Sequence, residues 1–200
     1  PDPTFIEQET PGGEAAEYDT LDMEILLRTR ETARMILADS AYGVSQRLIL
    51  LLLYAYQAQS ELNGVEVAPY QGGNDLLNHV KKYARPGNSS EILNFFKGLE
   101  ILTPEWEGRL NIPSPTPWDD RYRTIARYFV DRYWLQAISD FDLVGRAKFA
   151  LLSCIVIRLL GGDLLQTAQS YSKEIENSIE NVEAILDAAY ENPIFDDNML

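Results

Sequence analysis

The sequence predicts an all-α fold: a single helical bundle of about seven to eight helices with one long, proline-rich irregular connection. Three observations carry this. Two long apolar-periodic segments, 141–160 and 164–190, are joined by Gly161-Gly162-Asp163, where glycine accepts the left-handed conformation that ends a helix and aspartate can cap the next one. Apolar residues recur at helical spacing along most of the chain, and no convincing strand pattern interrupts them. The 200 residues are 46% hydrophobic and 10% aromatic, ample for burying a core.

Taken in order, residues 1–19 combine Pro3, Pro11, Gly12 and Gly13 with many carboxylates, which predicts a flexible acidic lead-in or linker ahead of an all-α domain over 20–200. A first helix is expected from Thr20, its cap, through Leu21, Ile25, Ala33 and Ile36. The segment 39–43 breaks the pattern before a second helix over 44–62, whose unbroken run of apolar residues from Leu48 to Leu53 predicts the central, most buried helix. After a loop containing Asn63-Gly64, Pro69, Gly72 and Gly73, a shorter helix carries Leu76, Leu77, Val80 and Tyr83, ended by Arg85-Pro86-Gly87. Ser89-Ser90-Glu91 opens the next, with Ile92, Phe95, Phe96 and Leu99 as its apolar side. Between Thr103 and Pro117 four prolines and Gly108 predict irregular structure for much of the span. Asp119-Asp120 then caps a helix running to about Ser139, followed by the two terminal segments.

Charge narrows the classes of partner. The formal net charge is −14, and it is concentrated at the ends: residues 1–24 hold eight acidic groups and no basic one, and residues 172–200 hold eight against Lys173. An acidic surface repels a phosphate backbone, which argues against general nucleic-acid binding. The longest apolar runs fall short of the roughly 20 residues that cross a bilayer, so no membrane partner is expected. Cys154 stands alone, which excludes an internal disulfide or a multi-cysteine metal site within the chain and points to a reduced thiol and a cytoplasmic location. The chain starts at Pro1 without a basic, apolar leader, and is expected to be a piece of something longer.

The candidate chemistry is sparse. Asp119-Asp120-Arg121 resembles the start of an acidic metal motif, but no third acid follows on that face and helix capping explains both aspartates. Asp196-Asp197-Asn198 reads as a frayed end. The segment 121–134 interleaves four arginines, among them Arg127 and Arg132, with aromatics; such a surface can hold an acidic partner, yet Ile125, Phe129 and Tyr133 at i, i+4 and i+8 make a buried stripe with the arginines outward. On the last helix Tyr171, Ile175, Ile179, Val182, Leu186 and Ala189 are expected on one face and Glu176, Glu180, Glu183 and Asp187 on a solvated one. His79 is the only histidine, so no triad can be drawn around it.

Phe141-Asp142-Leu143-Val144-Gly145-Arg146-Ala147-Lys148-Phe149-Ala150-Leu151-Leu152-Ser153, then Ile157-Arg158-Leu159-Leu160, Tyr171-Ser172-Lys173-Glu174-Ile175-Glu176-Asn177-Ser178 and Asn192-Pro193-Ile194-Phe195 resemble the C-terminal helical region of the flagellin lysine N-methylase family. The region 26–53 is similar to the segment that precedes it there, and Asn177 stands where the family pattern has histidine. The resemblance implies a parent protein that methylates lysines of flagellin, with S-adenosylmethionine as donor and an iron–sulfur cluster on a cysteine-rich N-terminal part. Cys154 alone cannot build that cluster, so no cofactor is expected within this chain.

Under the resemblance this piece is a substrate-docking or active-site-supporting domain, inactive alone. Methyl transfer needs a neutral amine aligned with the donor carbon, and Tyr171, Glu174 and Glu176 are the candidates to orient it. Arg146, Arg127 and Arg132 are the candidates for substrate or partner binding. The alternative is a non-catalytic helical protein-interaction module.

Overall fold

One helix is apolar around nearly its whole circumference, and the chain folds so as to cover it. This helix is Leu143–Leu160, with sixteen of its eighteen residues buried. The computed structural model describes residues 15–82 and 89–197. Within them the α-helices are α1 (Ala15–Ala38), α2 (Val44–Leu62), α3 (Asn74–Val80), α4 (Ser89–Lys97), α5 (Pro104–Asn111), α6 (Tyr122–Tyr133), the single turn α7 (Ala137–Asp140), α8 (Leu143–Leu160), α9 (Leu164–Tyr171) and α10 (Ile179–Glu191). No strand forms among the described residues; an isolated parallel bridge joins Ser114 to Gly161. The fold is all-α, as the periodicity predicts.

Helices α2, α4, α6, α9 and α10 pack on α8, and α1 packs on α2 and α6. The central helix is therefore α8 and not α2, which keeps half-buried or exposed positions such as Tyr56 along one side. A leucine run measures apolar content; how many neighbours arrive is decided by the rest of the chain. Of the polar groups that α8 carries inward, Ser153 and Lys148 are matched, while Arg146 keeps its buried Nε without a hydrogen-bond partner. Ser153 Oγ donates to the Phe149 carbonyl at 2.7 Å and lies 2.8 Å from the Tyr171 hydroxyl. Lys148 Nζ donates to the carbonyls of Ala189 at 3.0 Å and Phe195 at 3.3 Å and pairs with Asp197 at 2.9 Å, so a buried ammonium closes the carboxyl end of α10.

The expected junction is present. Gly161 and Gly162 have φ of 66° and 78°, and the Asp163 side chain accepts the Gln166 N–H at 3.0 Å to cap α9. The second helix matches its expected limits, and α4 includes Ser89, the first described residue after 83–88.

Elsewhere the boundaries move. The first helix already includes Ala15, the first described residue, so Thr20 lies inside it rather than capping it. Tyr83 and the expected stop at Arg85-Pro86-Gly87 lie outside the described residues, as do residues 1–14 and Asn198. The irregular connection contains α5: Thr103 accepts the Trp106 N–H at 3.3 Å, and Pro104 occupies the first turn, where its missing donor costs nothing. Asp120 is held by a distant partner. The buried Arg47 donates to Asp120 at 2.8 Å, to the Leu37 carbonyl at 3.2 Å and to the Tyr42 carbonyl at 2.7 Å, tying the α1–α2 turn to the start of α6. Asp119 accepts the Arg121 N–H at 2.9 Å.

The last segment is not one helix. After α9 a π-helical turn, Ser172–Glu176, widens the coil, and α10 restarts with the Ser178 hydroxyl accepting the Asn181 N–H at 3.2 Å. The apolar face expected to run from Tyr171 to Ala189 is broken there, and Ile179 is 72% exposed.

Gly161 supplies a direct check. A Cβ at this position would lie 1.7 Å from the Ser114 carbonyl oxygen, on a backbone already left-handed, whereas one at Gly162 meets nothing nearer than 3.8 Å. Gly162→Ala is expected to cost about 1 kcal/mol and Gly161→Ala more than ~2 kcal/mol in urea unfolding, since only the second adds a backbone collision to the conformational strain.

Candidate functional site

Three of the side chains singled out from sequence converge on one groove. It has a volume of about 820 Å³ and lies between α10 on one side and α6, α7 and the start of α8 on the other. The turn from α7 to α8 shapes one end. Phe141 takes a left-handed conformation, φ 56°, where its N–H bonds to the Ala137 carbonyl at 2.9 Å. That reversal leaves the ring 46% exposed at the groove.

The π-helical turn shapes the other end by directing Glu176 toward α6. Its carboxylate is 1% exposed and takes Arg132 Nε at 2.8 Å. It also accepts the hydroxyls of Tyr133 at 2.9 Å and Tyr128 at 3.0 Å. A buried carboxylate is stable only with such a set of donors. Burial above all, and then the negative Glu176, push the Tyr133 phenol up to about 12 against the opposing pull of Arg132. Tyr128 is raised for the same two reasons.

Arg146 lies on the same wall, with its side chain 8% exposed and paired with Asp140. Asp142 caps α8 by accepting the Gly145 N–H at 2.8 Å and also receives the Tyr190 hydroxyl, whose phenol is raised by burial and by that carboxylate. These pairs leave Glu183 and Asp187, one helical turn apart on α10. Both are exposed, and among the described residues neither has an ion pair or side-chain hydrogen bond. Ile179, Val182 and Leu186 supply the apolar floor between them. The groove thus carries five carboxylates against two arginines, with the surplus negative charge beside an apolar strip.

The other candidates lie elsewhere. Tyr171 is fully buried, its ring within 6.3 Å of the rings of Phe96, Trp106 and Phe129, and burial raises its phenol far above the usual value. Glu174 is 1% exposed and accepts the Leu102 N–H at 2.8 Å, while its carbonyl accepts Asn181 Nδ2 at 2.9 Å; it fixes the α4–α5 connection. Arg127 is exposed and pairs with Asp131 at 3.4 Å, away from the groove. Cys154 is buried within α8, where burial raises the thiol. No group of three or more histidine, cysteine, aspartate or glutamate side chains is placed to hold a metal among the described residues. No helix there is long and apolar enough to cross a membrane.

Sequence reading missed Tyr133, Asp140, Phe141, Asp142 and Tyr190 as groove residues. Two signals were available: the Asp142-to-Gly145 spacing of a helix cap, and Ser178 three residues before Asn181, which starts a new helix. Comparison of the chain with family models, curated proteins and solved structures finds no match.

The Tyr133 phenol is neutral in the fold to a higher pH than in an unfolded chain, where tyrosine ionises near about 10. Its contribution is complete below pH ~10 and is lost as pH rises toward 12. Tyr133→Phe is therefore expected to cost about 1–2 kcal/mol at neutral pH, by removing one donor to Glu176, and to make the decline in unfolding free energy between pH 10 and 12 shallower than in the parent chain.

Proposed function

We propose that this chain is the substrate-docking helical domain of a protein resembling the flagellin lysine N-methylases. The observation that carries the reading is the groove between α10 and α6–α7, whose apolar floor and unpaired Glu183 and Asp187 suit a lysine: the methylenes lie on Val182 and Leu186 while the ammonium sits near the two carboxylates. Four of the groove's side chains, Phe141, Asp142, Arg146 and Glu176, come from the segments that carry the family resemblance, 141–153 and 171–178, while its unpaired acids and apolar floor come from α10 beyond them.

Glu176, Arg132 and Tyr133 form the rigid end of this docking site, and Arg146 with Asp140 braces the wall. Tyr171 and Glu174 support it from within by fixing α9 and the π-helical turn. The methyl donor and the iron–sulfur cluster belong, on this reading, to the remainder of the parent protein. One buried cysteine does not fit a cluster, so no step of the chemistry is assigned to this chain. A cytoplasmic location follows from the same family reading. A non-catalytic interaction module would use the groove in the same way, for a basic segment of another protein.

The measurement is binding of a lysine-bearing flagellin peptide to the 200-residue chain. The double variant Glu183→Gln, Asp187→Asn is expected to weaken it about three- to tenfold, added salt to weaken it further, and acetylation of the peptide lysine to match the variant's loss. Undiminished binding by the variant or by the acetylated peptide removes the docking role. In the full parent, the same variant is expected to raise KM for flagellin while leaving kcat nearly unchanged, and an absence of flagellin methylation leaves the interaction-module reading in its place.

A further inference from the structure

A second cleft, of about 400 Å³, lies between α1, α2 and the extended segment 65–70, independent of the groove above. Three tyrosines, Tyr42, Tyr54 and Tyr70, line it. The rings of Tyr54 and Tyr70 touch edge to face, 5.5 Å apart at 73°, with Tyr54 only 5% exposed at the base of the cleft. Tyr54 is held from behind by Trp134, stacked at 6.4 Å and 9°, whose indole N–H donates to Thr29 at 3.1 Å. The segment bearing Tyr70 is pinned by Gln57, which donates to the Ala68 carbonyl. The aromatic walls are therefore set before any ligand arrives.

The charges in the cleft are unbalanced. Arg28 is taken by Glu61. Asp39 is exposed and, among the described residues, pairs with no cation; its carboxylate accepts only the Ala41 N–H at 2.9 Å. It lies close enough to Tyr70 to oppose ionisation of that phenol, as does Tyr42. Aromatic faces and a free carboxylate together attract a cation and repel an anion. They select a cation whose charge is spread over alkyl groups, because an ordinary ammonium is more strongly hydrated and gives up more water on entry.

We propose that this cleft binds a methylated ammonium group, of the kind carried by choline or by trimethylated lysine, through the tyrosine walls and Asp39. Calorimetric titration of the 200-residue chain with choline, with free trimethyllysine and with 3,3-dimethylbutanol, choline's neutral isostere, tests it. Choline or trimethyllysine is expected to bind at least about fivefold more tightly than the isostere. Tyr70→Ala and Asp39→Asn are each expected to weaken the cation by a similar factor, while Tyr70→Phe keeps most of it. Tyr70 is half-buried on a connecting segment and Asp39 is exposed, and an unchanged far-ultraviolet circular dichroism spectrum verifies that each variant is folded. Preference between choline and trimethyllysine tells a headgroup from a side-chain source. Equal binding of choline and its neutral isostere, undiminished binding in both variants, or no heat with either cation at 10-fold excess over ~1 mM overturns the proposal.

Discussion

The constraint on which the structure depends is the enclosure of α8. A helix apolar around nearly its whole circumference gains by leaving water only when other helices close around it, and here α2, α4, α6, α9 and α10 do so. Apolar burial alone would leave the order and rotation of those helices loosely defined. The polar residues that α8 carries inward remove that freedom. Lys148 accepts only an arrangement that brings the end of α10 to it, Ser153 one that brings Tyr171, and Arg146 one that brings Asp140. Each would be costly to bury without its partner, so each selects one packing among many of similar hydrophobic content.

Local signals were legible and distant ones were not. The limits of α2 and the Gly161-Gly162-Asp163 junction are written in neighbouring residues, and sequence reading located them. Helix α5 was hidden because four prolines read as breakers, although Pro104 behind Thr103 is a helix start. Asp120 looked like a cap because its partner, Arg47, is 73 residues away. Of the candidate site, Arg132, Arg146 and Glu176 were identified as individual residues. Their convergence was not legible, since it depends on how α6 and α10 approach each other across α8.

The acidity of the C-terminal part divides into two uses. Glu176 is enclosed and meets Arg132 and two tyrosines, so it organises the end of the groove. Glu183 and Asp187 remain in water and give the groove its negative character. One charge count covers both, and only the fold separates the carboxylate that builds the wall from those that face a visitor.

The wide turn at Ser172–Glu176 has a consequence for how this surface can change. One residue advances a helix by about 100°, so the extra width of a π-helical turn rotates all that follows relative to all that precedes. Loss of a single residue there would swing α10 on its axis by about that angle and change which of its side chains face the groove. A family of chains with nearly the same letters would then display unlike exteriors, and divergence in what they grip would trace to a shift of phase, with no exchange of side chains required.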